Sequence, residues 1–297
     1  MKKYLYIAAS LLVTIVATSC NKEDDVNVDL SDPREHFVPL DSDTSETADL
    51  RRAFNTEEKS FLLFNDTIQK VYNGKDLNGE NNYFVEVIDL NYTVGSSYNY
   101  VAKPYTFTYL ETLEKKKTAT DFLKNYILIH LPQKLRPFSW LVVGNIYTHD
   151  AQGSLLKPYA VAGERCIALA YALLPNFKTE AKKKEYANRQ LLVIIDNMVS
   201  NYPEAFNDFK EISNKKYSAG ISVPEGKTAL EVVMENGFLS NPHTNQYQSF
   251  SEDVSSYTQM VLSSTEERIN KKYANYPKIL EKVKLYKTAM ESLGYIF

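Results

Sequence analysis

The feature that most constrains the fold is a long apolar segment near the middle of the chain, Leu191–Tyr202. Charged residues precede it from Glu180 onwards and Pro203 follows it, so a span of roughly 18–22 residues predicts one long helix that enters the core. Four polar residues interrupt the apolar pattern: Asp196, Asn197, Ser200 and Asn201. Their spacing places them on one side of the helix, and a polar stripe is costly against a dry core. This side is therefore predicted to face a cleft, water or another polar element.

The order of the other elements indicates the fold class. Segments rich in apolar, β-branched or aromatic residues predict strands at 60–64, 83–94, 139–147 and 166–172, with helices at 45–54 and 119–130. After Pro203 the pattern is helical, at 227–235, from 250 onwards, and from Pro277 to the end. Strands in the first half and helices in the second predict an α+β domain, with a small sheet, one buried helix behind it and a helical C-terminal half.

The N-terminus has the three regions of an export signal. Lys2 and Lys3 form a basic region, Tyr4–Val16 an apolar region, and Ala17–Ser19 a small-residue cleavage site directly before Cys20. The stretch resembles a bacterial lipobox, in which the cysteine is lipidated and becomes the first residue of the mature protein. The apolar run is shorter than the ~20 residues of a membrane-spanning helix. We therefore expect residues 1–19 to be a lipoprotein signal peptide and Cys20 to be the lipid attachment site.

The residues after Cys20 resemble a localisation signal. The segment 21–25 (Asn-Lys-Glu-Asp-Asp) resembles the acidic cluster that marks Bacteroidota lipoproteins for the outer face of the outer membrane. An inward-facing lipoprotein with an ordinary acidic tether is the alternative. The residues up to 45 are mostly polar and acidic, which predicts a tether at 20–45 and a single folded domain at 46–297.

Composition excludes several classes of partner and site. The formal net charge is −3 and basic residues occur only in short runs, so nucleic acid is not an expected partner. With Cys20 lipidated, Cys166 is the only remaining thiol, and neither an internal disulfide nor a cysteine metal site can form. The chain has 22 tyrosines, whose rings could stack on sugars or simply cover half-buried surfaces.

Residues suited to catalysis are few. The four histidines, His36, His130, His149 and His243, are far apart, so no helix presents two imidazoles on one face. No Gly-x-Ser-x-Gly elbow and no glycine-rich phosphate loop occur. Glu252 and Asp253 could form a carboxylate pair, although adjacent acids at a helix start also suit the positive end of the helix dipole.

The C-terminal half resembles a known family. The carrying segments are 205–209 (Ala-Phe-Asn-Asp-Phe), 217–220 (Tyr-Ser-Ala-Gly), 237–240 (Gly-Phe-Leu-Ser) and 252–254 (Glu-Asp-Val), which follow the strand pair and the long helix. Together with the lipoprotein N-terminus, they resemble the Bacteroidota lipoproteins known as substrate-import-associated zinc metallohydrolases. The resemblance covers the chain from about residue 46 to the end. It implies a zincin-like domain encoded near TonB-dependent uptake systems of the SusC/SusD kind.

The resemblance fails at the metal site. In that family the long helix carries His-Glu-x-x-His, which binds zinc and activates a water molecule. The best register places Asn197 and Asn201 at the two zinc-ligand positions and Met198 at the position of the glutamate base. Glu252 and Asp253, which match the acidic segment of the family, remain as a remnant of the site. The implied site is degenerate, with no catalytic residue, metal or cofactor.

Three hypotheses follow for the function. The first is a surface-exposed outer-membrane lipoprotein, anchored through Cys20, that serves as a non-catalytic accessory or binding subunit of a SusC/SusD-type nutrient-uptake system. Its peptide or glycan ligand would lie above Asp196, Asn197, Ser200 and Asn201. The second is an active zinc hydrolase with unconventional ligands from Asp196, Glu252, Asp253 and either His149 or His243. The third is a surface structural protein unrelated to uptake.

Overall fold

The computed structural model describes residues 37–88, 90, 105–150, 152–240 and 245–297. The strands are β1 (Phe61–Leu63), β2 (Thr67–Lys75), β3 (Asn81–Val87), β4 (Thr106–Thr108), β5 (Ser139–Val143), β6 (Asn145–His149), β7 (Leu155–Leu156), β8 (Ala160–Ala162) and β9 (Cys166–Ala170). The α-helices are α1 (Glu46–Glu58), α2 (Leu113–Phe122), α3 (Glu180–Asn201), α4 (Asn207–Glu211), α5 (Ala229–Glu235), α6 (Phe250–Ser263), α7 (Glu266–Lys272) and α8 (Pro277–Ser292). The predicted α+β class is confirmed.

The central sheet has the order β1-β5-β9-β8. The first three strands run parallel, and β8 pairs antiparallel to β9 at one end. All five residues of β5 and all five of β9 are buried, as expected for parallel strands covered on both faces. The small residues of β9 suit either close packing or an edge position. In the structure β9 lies between β5 and β8, so it is a packed central strand.

Alternate residues of the sheet enter two separate cores. Leu62, Trp140, Val142, Ile167 and Leu169 point to the side covered by the helices, and they pack in one cluster with the buried residues of α2, α3, α6 and α8. The intervening residues, among them Leu63, Leu141 and Ala168, pack on the opposite face with Phe37, Ile88 and Ile146. The period of two in the strands thus assigns each side chain to a layer.

The long helix α3 lies in the larger core. Thr179 caps its N-terminus by accepting a hydrogen bond from the backbone N–H of Lys182, and Pro203 follows its end. Its buried residues recur at helical spacing: Tyr186, Ala187, Gln190, Leu191, Ile194, Ile195, Met198 and Val199. The predicted buried helix behind a sheet is therefore present, and it spans 22 residues.

The start of the folded domain lies earlier than residue 46. Residues 36–297 form one compact unit, in which Phe37 is buried against Phe61 and Phe138. Arg51 of α1 donates a hydrogen bond to the carbonyl of Phe37 at 2.8 Å. The signal peptide, Cys20 and the tether up to residue 36 lie outside the described residues. Within the described residues, no helix combines the length and apolar character needed to cross a membrane.

Two elements differ from their predicted bounds. The helix predicted at 119–130 begins at Leu113, after the cap residue Thr112. From Leu123 to Ile127 its hydrogen bonding widens to a π turn, which a short 3₁₀ turn follows. The strand predicted at 139–147 is two strands, β5 and β6, which separate at Gly144.

Gly144 is required by a close approach of two backbones. Its N–H donates a hydrogen bond to the carbonyl of Thr108 at 2.7 Å, and a Cβ at this position would lie 2.9 Å from Thr108 Oγ1 and 3.0 Å from Thr108 O. We expect Gly144→Ala to lower the free energy of unfolding by about 1–3 kcal/mol in urea denaturation, because a backbone atom cannot yield to the added methyl group.

A matched control is available at Gly220. The nearest heavy atom to a Cβ there is Asn245 O at 4.0 Å, so Gly220→Ala should change the free energy of unfolding by less than about 0.5 kcal/mol. Equal effects of the two substitutions would contradict the close-approach explanation.

Candidate functional site

A cleft of about 690 Å³ opens between the second half of α3 and the edge strand β8. We call it the helix–strand cleft. On the helix side it is lined by Asp196, Asn197 and Ser200, three of the four residues in the predicted polar stripe. On the strand side it is lined by Tyr159 and Ala160–Ala162. The remaining walls are formed by Tyr105, Thr148, Leu156, Lys157, Pro158, Val193 and Ser251.

The helix period explains which residues reach the cleft. Ile194, Ile195 and Met198 turn into the core, so the residues on the other side of the same turns face the opening. Asp196 and Asn197 are half-buried and Ser200 is exposed. Three of the four residues in the predicted stripe therefore form one wall of the cleft.

Asp196 is the charged group of this wall. The Ser255 hydroxyl of α6 donates a hydrogen bond to Asp196 Oδ2 at 3.1 Å. Burial raises the pKa of Asp196, and the Ser255 hydrogen bond lowers it in part. The contact also joins α6 to α3.

Of the other two helix residues in this wall, Ser200 and Asn197, only Asn197 has a side chain that is available to hydrogen-bond a ligand. Ser200 Oγ donates to the carbonyl of Asp196 at 3.0 Å, which satisfies its proton within the helix. The side-chain amide of Asn197 has no hydrogen-bond partner in the described part of the chain. An amide carries two donors and one acceptor, so Asn197 can bind a polar ligand.

The residues that the family resemblance aligned with the zinc motif do not all reach the cleft. Met198 is only 4% exposed and packs in the larger core. Asn201, the last residue of α3, is exposed but does not line the cleft. Cleft-facing positions with the i, i+1, i+4 spacing of that motif are instead Asp196, Asn197 and Ser200, one residue earlier.

Glu252 and Asp253 point in different directions. Glu252 is exposed and completes a capping box, in which its carboxylate accepts from the Ser249 N–H at 2.7 Å. Asp253 is fully buried and pairs with the equally buried Lys282 of α8. Neither residue lines the helix–strand cleft. These two acids therefore have structural partners: one caps a helix and the other joins two helices.

The predicted zinc ligands that the structure describes do not come together at one site. Among the described residues, no three His, Cys, Asp or Glu side chains lie where they could share a metal ion. His149 ends β6 on the surface, and His130 contacts the carbonyl of Ile296 through Nδ1 at 2.6 Å. His36 and His243 lie outside the described residues. An aspartate, an amide and a hydroxyl are a poor ligand set for zinc, so the cleft residues do not fit that metal.

The strand side of the cleft offers backbone groups. The bonds Ala170 N–H to Tyr159 O at 3.0 Å and Gly163 N–H to Cys166 O at 2.8 Å join directly opposed residues of the antiparallel pair. Since hydrogen-bonded and non-bonded pairs alternate, Val161 faces β9, whereas the N–H and C=O groups of Ala160 and Ala162 point away from it. Within the described residues these groups have no hydrogen-bond partner. Along this wall of the cleft, no strand of the described residues pairs with the outer edge of β8.

The sequence prediction missed this strand. No strand is predicted between the strands at 139–147 and 166–172, although Tyr159–Ala162 is an apolar run between Pro158 and Gly163. A short run with proline at its start is typical of an edge strand, so composition could have indicated it. The role of Ser255 could not have been found in this way, because its contact with Asp196 joins residues 59 positions apart.

Comparisons with known proteins add no relative. No protein-family model, no curated protein and no solved structure matches this chain.

Proposed function

We propose that this chain is a surface-exposed lipoprotein of an outer membrane, with a metallopeptidase-like domain that binds polypeptide without cleaving it. The lipobox-like N-terminus supports the anchoring, through Cys20, and the acidic residues after it support display at the cell surface. The resemblance to import-associated metallohydrolases supports a role as an accessory subunit of a SusC/SusD-type nutrient-uptake system. A protein with this role captures ligand and transfers it to a transporter.

The observation that carries the binding function is the outer edge of β8, which has no partner strand in the described part of the chain and lies beside a polar helix wall. An extended peptide can add to such an edge as a further antiparallel or parallel strand, and the outward N–H and C=O groups of the partly exposed Ala162 would supply backbone hydrogen bonds to it. Asn197 and Asp196 on the opposite wall would then contact side chains of the bound segment.

This geometry favours a peptide over a glycan in the helix–strand cleft. A strand edge presents donors and acceptors at the repeat of a polypeptide backbone, which a sugar chain does not share. The cleft also carries one carboxylate and one ammonium group, those of Asp196 and Lys157, so it does not select strongly by charge. Binding of varied peptide sequences is the expected consequence.

The proposed lack of peptidase activity rests on the residues in the cleft. Hydrolysis of a peptide needs an activated water and a base, and metallopeptidases provide them with a bound metal and a glutamate. At the corresponding spacing this chain has Asp196, Asn197 and Ser200, which do not form a metal site. The alternative zinc hydrolase is not supported by any grouping of the described residues.

Binding of fluorescein-labelled casein, an unfolded polypeptide, tests the proposal. The full chain in detergent should bind it saturably in fluorescence anisotropy and leave it uncleaved. Ala162→Pro removes one outward N–H, and we expect it to weaken binding by about tenfold. Failure of the wild type to bind casein, or equal binding by the variant, would overturn the strand-edge proposal.

Val161→Pro is the matched control, one residue along the same strand. The Val161 N–H faces β9, so its loss should lower the free energy of unfolding by about 1–3 kcal/mol, whereas Ala162→Pro should leave it nearly unchanged. Comparable destabilisation by both variants would show that the alternation along β8 has been assigned incorrectly.

A further inference from the structure

A second cleft lies at the carboxyl ends of two parallel strands. It contains Gly144 and Asn145, which follow β5, and Tyr171 and Ala172, which follow β9. Its volume is about 1020 Å³, and it shares no lining residue with the helix–strand cleft. The edge where parallel strands end is a common location for ligand sites, and this volume is in the range of such sites.

Aromatic rings in this second cleft are held in fixed positions. Tyr109 is 41% exposed, and its hydroxyl donates to Asp66 at 2.7 Å. Tyr126 donates to Glu180 at 2.6 Å, and one ring face stacks on Phe122 with a centroid distance of 4.5 Å. A ring anchored at its hydroxyl loses little conformational freedom when a ligand stacks on its face.

Planar polar groups surround these rings. Asn125 and Tyr126 belong to the π turn Leu123–Ile127, and such turns occur frequently at functional sites. Asn145 lies on the strand side, where its amide donates one hydrogen bond to Thr108 Oγ1 at 3.0 Å and keeps its carbonyl oxygen and second N–H for a ligand. The carboxylate of Asp121 completes the set. Amides and carboxylates can each bind two adjacent hydroxyl groups, one through each polar atom. The wall also contains Tyr171, whose buried hydroxyl has no partner among the described residues.

The charges of the cleft balance. Three acidic and three basic side chains line it: Glu111, Glu114, Asp121, Lys115, Lys178 and Lys183. A site for a phosphate, a nucleotide or another anion would carry an excess of positive charge. A balanced, polar and aromatic cleft suits an uncharged ligand that has both hydroxyl groups and apolar faces.

We propose that the cleft at the ends of β5 and β9 binds a neutral oligosaccharide, with Tyr109 as the stacking platform and Asn125 and Asn145 as hydroxyl-binding groups. A pyranose ring has an apolar C–H face that packs on an aromatic ring and a rim of hydroxyls that such amides can bind. This site is separate from the helix–strand cleft, because the two clefts share no lining residue.

Isothermal titration calorimetry with four neutral oligosaccharides, maltoheptaose, cellohexaose, mannohexaose and xylohexaose, tests the proposal. The wild-type chain should bind at least one of them. Tyr109→Ala should weaken that binding by about tenfold or more, whereas Tyr109→Phe, which keeps the ring, should weaken it by less than about threefold. Tyr72→Ala removes a 54% exposed tyrosine of β2 outside the cleft and should have no effect.

Three results would overturn the proposal. They are the absence of binding to all four sugars, equal binding by the wild type and Tyr109→Ala, and equal or tighter binding of a polygalacturonate fragment of matched length. Ala162→Pro should bind the oligosaccharide as the wild type does. Loss of sugar binding in that variant would show that the two clefts are not separate sites.

Discussion

Lys282→Met is expected to lower the free energy of unfolding by about 3–5 kcal/mol at pH 7, because it leaves the Asp253 carboxylate buried without its cation. Both side chains are fully buried and in direct contact. Asp253 Oδ2 also accepts a hydrogen bond from Tyr217 at 2.9 Å, while Oδ1 has no partner among the described residues. Urea denaturation followed by circular dichroism measures the loss.

The surroundings of Lys282 explain why methionine is the informative substitution. Four aromatic rings surround the ammonium group, those of Phe209 at 4.3 Å, Phe238 at 4.8 Å, Tyr257 at 5.0 Å and Tyr217 at 5.7 Å. Methionine has a similar length and packs well against aromatic rings, so the space between these four rings, which we call the aromatic cage, stays filled. The change therefore removes the charge and its cation–π contacts with little loss of packing.

The double variant Lys282→Met/Asp253→Asn distinguishes the contribution of the ion pair from that of the contacts between Lys282 and the aromatic cage. It removes both charges, so it should be more stable than Lys282→Met alone, and the two effects should not add. Additive effects of the two substitutions would contradict a direct charge pair.

The pH dependence of Lys282→Met has a defined sign. Burial raises the pKa of Asp253 to about 6, although Lys282 and the hydrogen bond from Tyr217 both lower it. Without Lys282 the pKa should rise further, so the folded variant takes up a proton that the unfolded chain, with an ordinary aspartate pKa, releases near pH 4. The stability deficit relative to the wild type should therefore be smaller at pH 5 than at pH 7. A deficit that grows on acidification would contradict this.

The ion pair also bears on the candidate site. It ties α6 to α8, and α6 carries Ser255, which donates to Asp196, and Ser251, which lines the helix–strand cleft. The two adjacent acids that resembled a metal-site remnant thus have separate structural roles. Glu252 caps the N-terminus of α6, and Asp253 binds α6 to α8 through its ion pair with Lys282.

The elements that sequence predicts well are those determined by local pattern. Ser45 and Thr179 cap α1 and α3, and the apolar runs of β1 and β9 form strands, because capping and burial depend on neighbouring residues. Three of the four residues in the predicted polar stripe line a cleft, because helical spacing largely determines which residues share a side of a helix.

What could not be predicted depends on contacts between distant residues. The strand break at Gly144 arises from the approach of Thr108, and the orientation of Asp253 arises from Lys282, 29 positions away. The burial of Met198 is a similar case. The family resemblance aligned Met198 with a catalytic position, but packing against the sheet places that side chain in the core.

The second large expected effect is the creation of a zinc site in the helix–strand cleft. Asp196→His, Asn197→Glu and Ser200→His together place His-Glu-x-x-His on the cleft wall, where two imidazoles one turn apart can bind a metal. Ser255→Glu adds a carboxylate from α6, at a position whose present hydroxyl lies 3.1 Å from Asp196 Oδ2. After incubation with zinc and extensive dialysis, elemental analysis should find about one equivalent in this variant. The wild type should retain almost none.

A second set of substitutions, Asn197→His, Met198→Glu and Asn201→His with the same Ser255→Glu, tests the register. Here the new glutamate replaces a side chain that is 4% exposed, so burial of a charge should destabilise the fold, and position 201 does not line the cleft. We expect no stoichiometric zinc and a lower melting temperature. Zinc bound by this set and not by the first would show that a metal fits the positions suggested by the family resemblance and not those that line the cleft. One equivalent in the wild type would mean that unconventional ligands hold a metal, and the non-catalytic proposal would then be wrong.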